Sequence, residues 1–225
     1  MLRPVLWRLG FEIANVRRAI AKKPSQSVLY FAFGGNLDPA TLKRRKITPL
    51  SEEMFVLRDF KLEFARPGPF KGMGFASVAS EAGSIVVGKL LELSIEDSKR
   101  LDYYELVPVM RHYKRIYCQQ DGKSFFFYQT TKHRSGLRPT ENYKKMLLNG
   151  YKDMPNVDAT FLKSIEMVEH LTDLKPSDEL EFVLPQIKWA PKTINEQLAS
   201  LDRVCLQIFM KRLLNRSVTE VFINE

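Results

Sequence analysis

The sequence predicts an α+β domain built around a small mixed β-barrel or strongly curled sheet. Three observations carry this. Several apolar, aromatic and β-branched runs are short enough to be strands, and two are joined by Asp121-Gly122, a hairpin turn pair. Helical patterns gather late in the chain instead of alternating with strands, so a doubly wound sheet is not expected. Of the 225 residues, 44% are hydrophobic and 11% aromatic, enough for one sizeable core with extensions.

The elements follow in order. In residues 1–27, Leu2, Val5, Leu6, Leu9, Ile13, Val16 and Ile20 recur at steps of three and four, the stripe of an amphipathic helix. Arg3, Arg8, Arg17 and Arg18 punctuate it, and Glu12 is its only acid. This arginine-rich, acid-poor pattern is that of a mitochondrial transit segment. The expectation is a mitochondrial protein, with cytoplasmic as the alternative. Because Met1 to Ser27 are part of the chain, the segment is expected to be retained and docked. An ordinary capping helix is the plainer reading. "KKPSQS" then reads as a linker.

Residues 28–168 read as the main domain. "SVLYFAF" is a buried strand. "DPATLKRRK" opens a short helix with Asp38 as N-cap and Pro39 at the first position. "FVLRDFKLEFA" alternates imperfectly, like a bulged strand. "RPGPFKGMGFASVASEAG" is a Gly/Pro-rich loop entering a strand. "SIVVGKLLEL" is another, with Gly88 marking a bulge or close backbone approach. "SIEDSKRLDYYE" starts a helix at Ser94, with Glu96 and Asp97 in its first turn and an apolar face of Ile95, Leu101 and Tyr104. "YKRIYCQQDGKSFFFYQTT" is the hairpin. "PTENYKKMLLNGYKD" and "DATFLKSIEMVEHL" are two helices joined at Met154-Pro155. Residues 169–225 form a C-terminal extension. Its helix begins at Thr193 and Glu196 in capping-box spacing and spans 193–215.

The net charge of +9 is uneven: +5 over residues 1–27, +6 over 28–168 and −2 over 169–225. A basic body suits an acidic partner, and RNA is weakly indicated because no aromatic-basic RNA motif is present. Solvated Lys and Arg are the plainer reading, and "KRRK" at Lys43–Lys46 is expected to face water. No run is long and apolar enough for a transmembrane helix. Cys118 and Cys205 fit no metal spacing and read as buried thiols of a reducing compartment. His112, His133 and His170 show no metal spacing either. Nucleophile and phosphate-loop motifs are absent.

Two features hold candidate chemistry. Gly34, Gly35 and Asn36 end a buried strand, where glycines permit positive φ and close approach, and successive N–H groups can nest an anion. A plain turn is the simpler reading. Glu105 sits where a helix meets an apolar segment, among Leu101, Tyr104, Leu106 and Val107. A partly desolvated carboxylate there would serve as a proton acceptor. A helix-end Glu with its head in water is the alternative.

Together these segments resemble the γ-glutamylcyclotransferase family. "YFAFGGNL" corresponds to its Tyr-Gly-Ser-Asn-Leu type loop, and "GKLLELSIEDSKRLDYYELV" to the segment that supplies its catalytic glutamate. "DFKLEF", "HYKRIYC", "SFFFYQT" and the Tyr143–Gly150 spacing continue the likeness over roughly residues 28–168. The animal enzymes are the most similar. The resemblance implies a small mixed barrel ringed by helices and a lyase-type intramolecular acyl transfer. A γ-glutamyl amino acid or amine closes on itself to 5-oxoproline and releases its amine, with no metal or cofactor. It implies Glu105 as general acid/base, the backbone of Gly34, Gly35, Asn36 and Leu37 as a carboxylate cradle, and Tyr30, Tyr113, Tyr128 and Tyr143 as pocket lining. Three positions depart from the pattern: Phe33 where tyrosine is common, Gly35 where serine is typical, and Leu106 where glycine follows the glutamate. A second expectation therefore stands beside the enzyme: an inactive family member serving as an accessory subunit of a larger mitochondrial assembly, held through residues 1–27 and 193–215.

Overall fold

The computed structural model describes residues 26–173 apart from 69, 108–111 and 153, together with Ile13, Val16, Arg17 and Ile20. The expected linker, the stripe of residues 1–27 beyond those four, and the helix at 193–215 lie outside the described residues. Five strands form one mixed sheet: β1 (Ser27–Ala32), β2 (Ser51–Pro67), β3 (Gly74–Ser94), β4 (Tyr113–Gln120) and β5 (Lys123–Thr130). Among the residues described from 26 to 173, the helices beside it are α1 (Pro39–Arg44), α2 (Ile95–Tyr104), α3 (Glu141–Lys152) and α4 (Ala159–Glu166).

The strand order is β2-β3-β1-β5-β4. β1 lies in the middle, antiparallel to β3 and parallel to β5. That position explains its continuous apolar run, since both faces of a central strand are covered. Tyr30, Phe31, Ala32 and Phe33 are all buried. The strand expected at the end of "RPGPFKGMGFASVASEAG" and the one expected in "SIVVGKLLEL" are a single strand, β3, paired along β2. β3 runs unbroken through Gly83, while the ladder slips opposite Asp59, where Arg58 pairs with Ile85 but Phe60 pairs with Ser80. The extra residues there lie on β3; the bulge expected in β2 is further along, where Phe64 and Ala65 stand opposite Ala76 alone.

The barrel expectation is met only as far as the curl. Among the described residues no backbone ladder joins the edge strands β2 and β4. They meet instead through one side chain: Gln120 Nε2 donates to the Val56 carbonyl at 2.8 Å, and Gln120 Oε1 accepts from Arg58 N at 3.0 Å. A side-chain amide thus copies one backbone pairing where the sheet almost closes.

Local sequence sets the helix ends. Asp38 accepts from Ala40 N and Thr41 N to start α1, with Pro39 behind it. Ser94 Oγ accepts from Asp97 N at 3.0 Å to start α2. Asp121 and Gly122 both hold positive φ, 53° and 73°, as a two-residue hairpin turn needs. Gly88 marks close backbone approach: a Cβ there would lie 2.2 Å from the Ala32 carbonyl oxygen. α3 leans on the chain after β1 in the same way. A Cβ on Gly150 would lie 2.4 Å from Leu37 Cβ. Next to it, buried Tyr151 donates toward the Val87 carbonyl (2.9 Å) and the Phe33 carbonyl (3.2 Å), anchoring α3 to β3 and to the residue that follows β1.

Candidate active site

The glycine segment is a tight turn against α3. Gly34 leaves β1 with φ −119° and ψ −144°, and Gly35–Leu37 form one 3-10 turn closed by Leu37 N donating to Gly34 O at 2.9 Å. Positive φ is therefore not the reason for the glycines. Close approach is. A Cβ on Gly35 would lie 2.9 Å from Met146 Cε and 3.5 Å from Tyr143 Cε2; one on Gly34 would lie 3.3 Å from Ala76 Cβ. The space a serine would fill at position 35 is taken by the methionine methyl. Leu37 is turned to the fold itself: its N–H closes the turn and its side chain is buried in the core beside Gly150.

Glu105 is delivered by the end of α2. It is the helix C-cap, and Leu106 follows with φ 60°. Leu106 N donates to Tyr103 O (3.2 Å) and Val107 N to Asp102 O (2.9 Å). This paired 5→2 and 6→1 pattern closes a helix with a left-handed residue, a place that usually falls to glycine. Leu106 itself is buried.

The two features meet. Glu105 Oε1 accepts from Asn36 Nδ2 at 3.1 Å, and Asn36 Nδ2 also donates to the Tyr30 hydroxyl at 2.8 Å. Arg45 Nη1 donates to Glu105 Oε1 and to Asn36 Oδ1, each at 2.7 Å. Since arginine only donates, it is the amide oxygen of Asn36 that faces Arg45. The Glu105–Arg45 ion pair is largely enclosed, with side chains 13% and 9% exposed. Arg45 corrects the expectation that "KRRK" faces water as a block: Lys43, Arg44 and Lys46 are exposed, but Arg45 is buried. Nothing local marks it, because its partner lies 60 residues away.

The four expected tyrosines all lie within reach of this carboxylate's charge. Burial pushes the hydroxyls of Tyr30, Tyr113, Tyr128 and Tyr143 up, and the Glu105 charge adds to the shift in each. For Tyr143, pushed up to about 12, the backbone amides of Ala76 and Gly35 pull the other way. Ala76 N donates to the Tyr143 hydroxyl at 3.1 Å, and Tyr113 donates to Ala76 O at 2.9 Å. Both tyrosines thus satisfy the backbone of β3 where the β2–β3 ladder slips between Glu63 and Arg66. Tyr128 donates to Asp102 Oδ1 at 2.7 Å, and Arg115 grips the same carboxylate from Nε (2.7 Å) and Nη2 (2.8 Å). Tyr128 reaches the cluster through its ring, 5.4 Å from Tyr30 and 6.5 Å from Tyr113.

Among the described residues no group of three His, Cys, Asp or Glu is placed to hold a metal ion, and no helix is long and apolar enough to cross a membrane. Cys118 is a free, half-buried thiol rather than a fully buried one. His112 belongs to a different contact: Arg66 Nη2 lies 2.6 Å from its Nδ1, which must therefore accept. Cys205 lies outside the described residues.

Comparison with known proteins gives the same class. The chain is 27% identical to bovine γ-glutamylcyclotransferase over 180 residues, covering 73% of this chain and 92% of the bovine one. A solved γ-glutamyl cyclotransferase structure superposes with a TM-score of 0.55 at 25% identity, over 70% of this chain and 98% of that one. An uncharacterised human protein gives 0.54 at 25% identity, over 71% and 98%. No family model matches. The resemblance to the γ-glutamylcyclotransferase family read from the motifs is thereby borne out, in sequence and in fold.

Proposed function

We propose that this protein cyclises γ-glutamyl amino acids or amines to 5-oxoproline. The observation that supports this best is the bond network joining Glu105 to the Gly34–Leu37 turn through Asn36. That network ties the carboxylate to a bend of bare backbone and to Tyr30, and its charge is felt by Tyr113, Tyr128 and Tyr143. In this reading the turn and its tyrosines hold the glutamyl chain folded, so that its α-nitrogen lies against its own γ-carbonyl. Intramolecular proximity of this kind can replace much of what a separate nucleophile would supply. Glu105 takes a proton from the α-ammonium. The freed amine attacks the γ-carbonyl carbon, and the new carbon–nitrogen bond closes the five-membered ring. As the bond to the departing nitrogen breaks, Glu105 returns the proton to it, and the ring nitrogen gives up its second proton to the released amine, which leaves as the ammonium. Substrate gives 5-oxoproline and free amine with no other reactant. The test is to incubate purified protein with a panel of γ-glutamyl amino acids and amines and measure 5-oxoproline. Release by wild type that is lost in Glu105→Gln is the expected outcome.

A second reading has its own support. Arg45 already pairs with the oxygen of Glu105 that Asn36 binds, and Met146 fills the position beside Gly35. Both suit a site that has become structural. The protein would then be an accessory subunit, held in a mitochondrial assembly through residues 1–27 and 193–215. Co-purification of a large complex with the full chain but not with a 1–27 deletion is what this reading expects.

A further inference from the structure

We propose that Arg45 is a positioning residue for Glu105: it locks Oε1 so that Oε2 alone is offered to the substrate. The inference rests on the cyclotransferase reading above and specifies how its carboxylate is aimed. Four observations carry it. Oε1 accepts two bonds, from Asn36 Nδ2 and Arg45 Nη1, whereas among the described residues nothing donates to Oε2. The side chain of Glu105 keeps a 13% exposed fraction, so the free oxygen has room for a partner.

Arg45 uses its guanidinium unusually. A single nitrogen, Nη1, makes both site contacts, and Nε is buried with no hydrogen-bond partner. A buried N–H left unpaired is costly and rare. Its placement makes sense if the group is set by the needs of Nη1. The guanidinium carbon stacks 4.9 Å over the Tyr104 ring, which holds its plane. Finally, α1 is built to deliver this residue. The helix is six residues long, started by Asp38 and Pro39, and Arg45 is its C-cap. Arg100 Nε then donates to the Arg45 carbonyl, pinning the backbone from α2. The same helix that ends in Glu105 thus fixes the residue that aims it.

Because one nitrogen makes both bonds, a lysine ammonium can replace it. A fork of two nitrogens would not allow that. The experiment compares wild type, Arg45→Lys and Arg45→Met for 5-oxoproline release from a γ-glutamyl amino acid, with kcat and KM resolved and folding checked by thermal unfolding. The expectation is that Arg45→Met loses 100-fold or more in kcat with KM within threefold. Arg45→Lys should recover to within tenfold of wild type. If Arg45→Met turns over like wild type, or if Arg45→Lys is folded and as impaired as Arg45→Met, the positioning role is overturned while the cyclotransferase reading stands. If wild type itself releases no 5-oxoproline, that reading falls, and this one with it.

Discussion

Leu106 offers a stability test of how the backbone aims Glu105. It is a buried leucine held at φ 60°. A side chain with a Cβ costs about 1–2 kcal/mol in the left-handed region, and glycine escapes that cost. Glycine in turn loses about 0.5–1 kcal/mol more than alanine in backbone entropy on folding. Truncating the leucine in either case removes a buried side chain, worth about 2–5 kcal/mol. Leu106→Ala and Leu106→Gly should therefore both fall well below wild type, with Leu106→Gly the more stable of the two by about 0.5–1 kcal/mol. In thermal terms that is a gap of about 1–4 °C for a chain of this size. The order reverses at an exposed helical position: Lys99→Gly in α2 should be less stable than Lys99→Ala by about 1 kcal/mol. Urea and thermal unfolding of the four variants would measure this. If Leu106→Ala proves the more stable by the same margin as at Lys99, the left-handed cap does not hold and the geometry given to Glu105 is wrong.

Other consequences are simpler. Gly35→Ser places a Cβ 2.9 Å from Met146 Cε. It should destabilise by about 1–3 kcal/mol, the usual cost of overpacking, and adding Met146→Ala should recover part of the loss because only the far end of a flexible side chain is in the way. The two effects measured separately and together by urea unfolding should be non-additive. His112 gives a pH signature. Burial, then the Arg66 and Lys132 charges, depress it from 6.5 to about 3, so it folds neutral. The unfolded chain takes up a proton there below pH 6.5 that the folded chain refuses until about pH 3. Its stabilising contribution is complete above pH 6.5 and is lost on acidification, with a slope of about 1.4 kcal/mol per pH unit. His112→Gln, which keeps an acceptor for Arg66, should remove that part of the slope in stability measured between pH 7 and 4.

How much of this could be read from the chain depends on distance along it. Asp38, Ser94 and Asp121-Gly122 act on residues two or three positions away, so helix starts and hairpin were legible. The glutamate and the glycine turn were legible only as a pair, through resemblance. What was missed depends on residues far apart. Arg45 reads as one of four basic neighbours until Glu105 is folded onto it. Tyr151 carries no signal for its bonds to Phe33 and Val87, 118 and 64 residues away. Of the two reasons read for the glycines, positive φ fails and close approach holds: Gly35 makes room for α3 at ordinary backbone angles. Barrel or curled sheet stayed open in the sequence because closure depends on whether two distant edges share a ladder, and here β2 and β4 are linked through the Gln120 side chain.

The central claim is that Glu105 moves the proton in a ring closure that the substrate performs on itself. The most direct measurement is 5-oxoproline formation from γ-glutamyl amino acids and amines by wild type and Glu105→Gln, both shown to be folded. The account predicts turnover of at least one substrate by wild type and a loss of 100-fold or more in the variant. No turnover of any substrate by wild type, or an undiminished rate in Glu105→Gln, would contradict it.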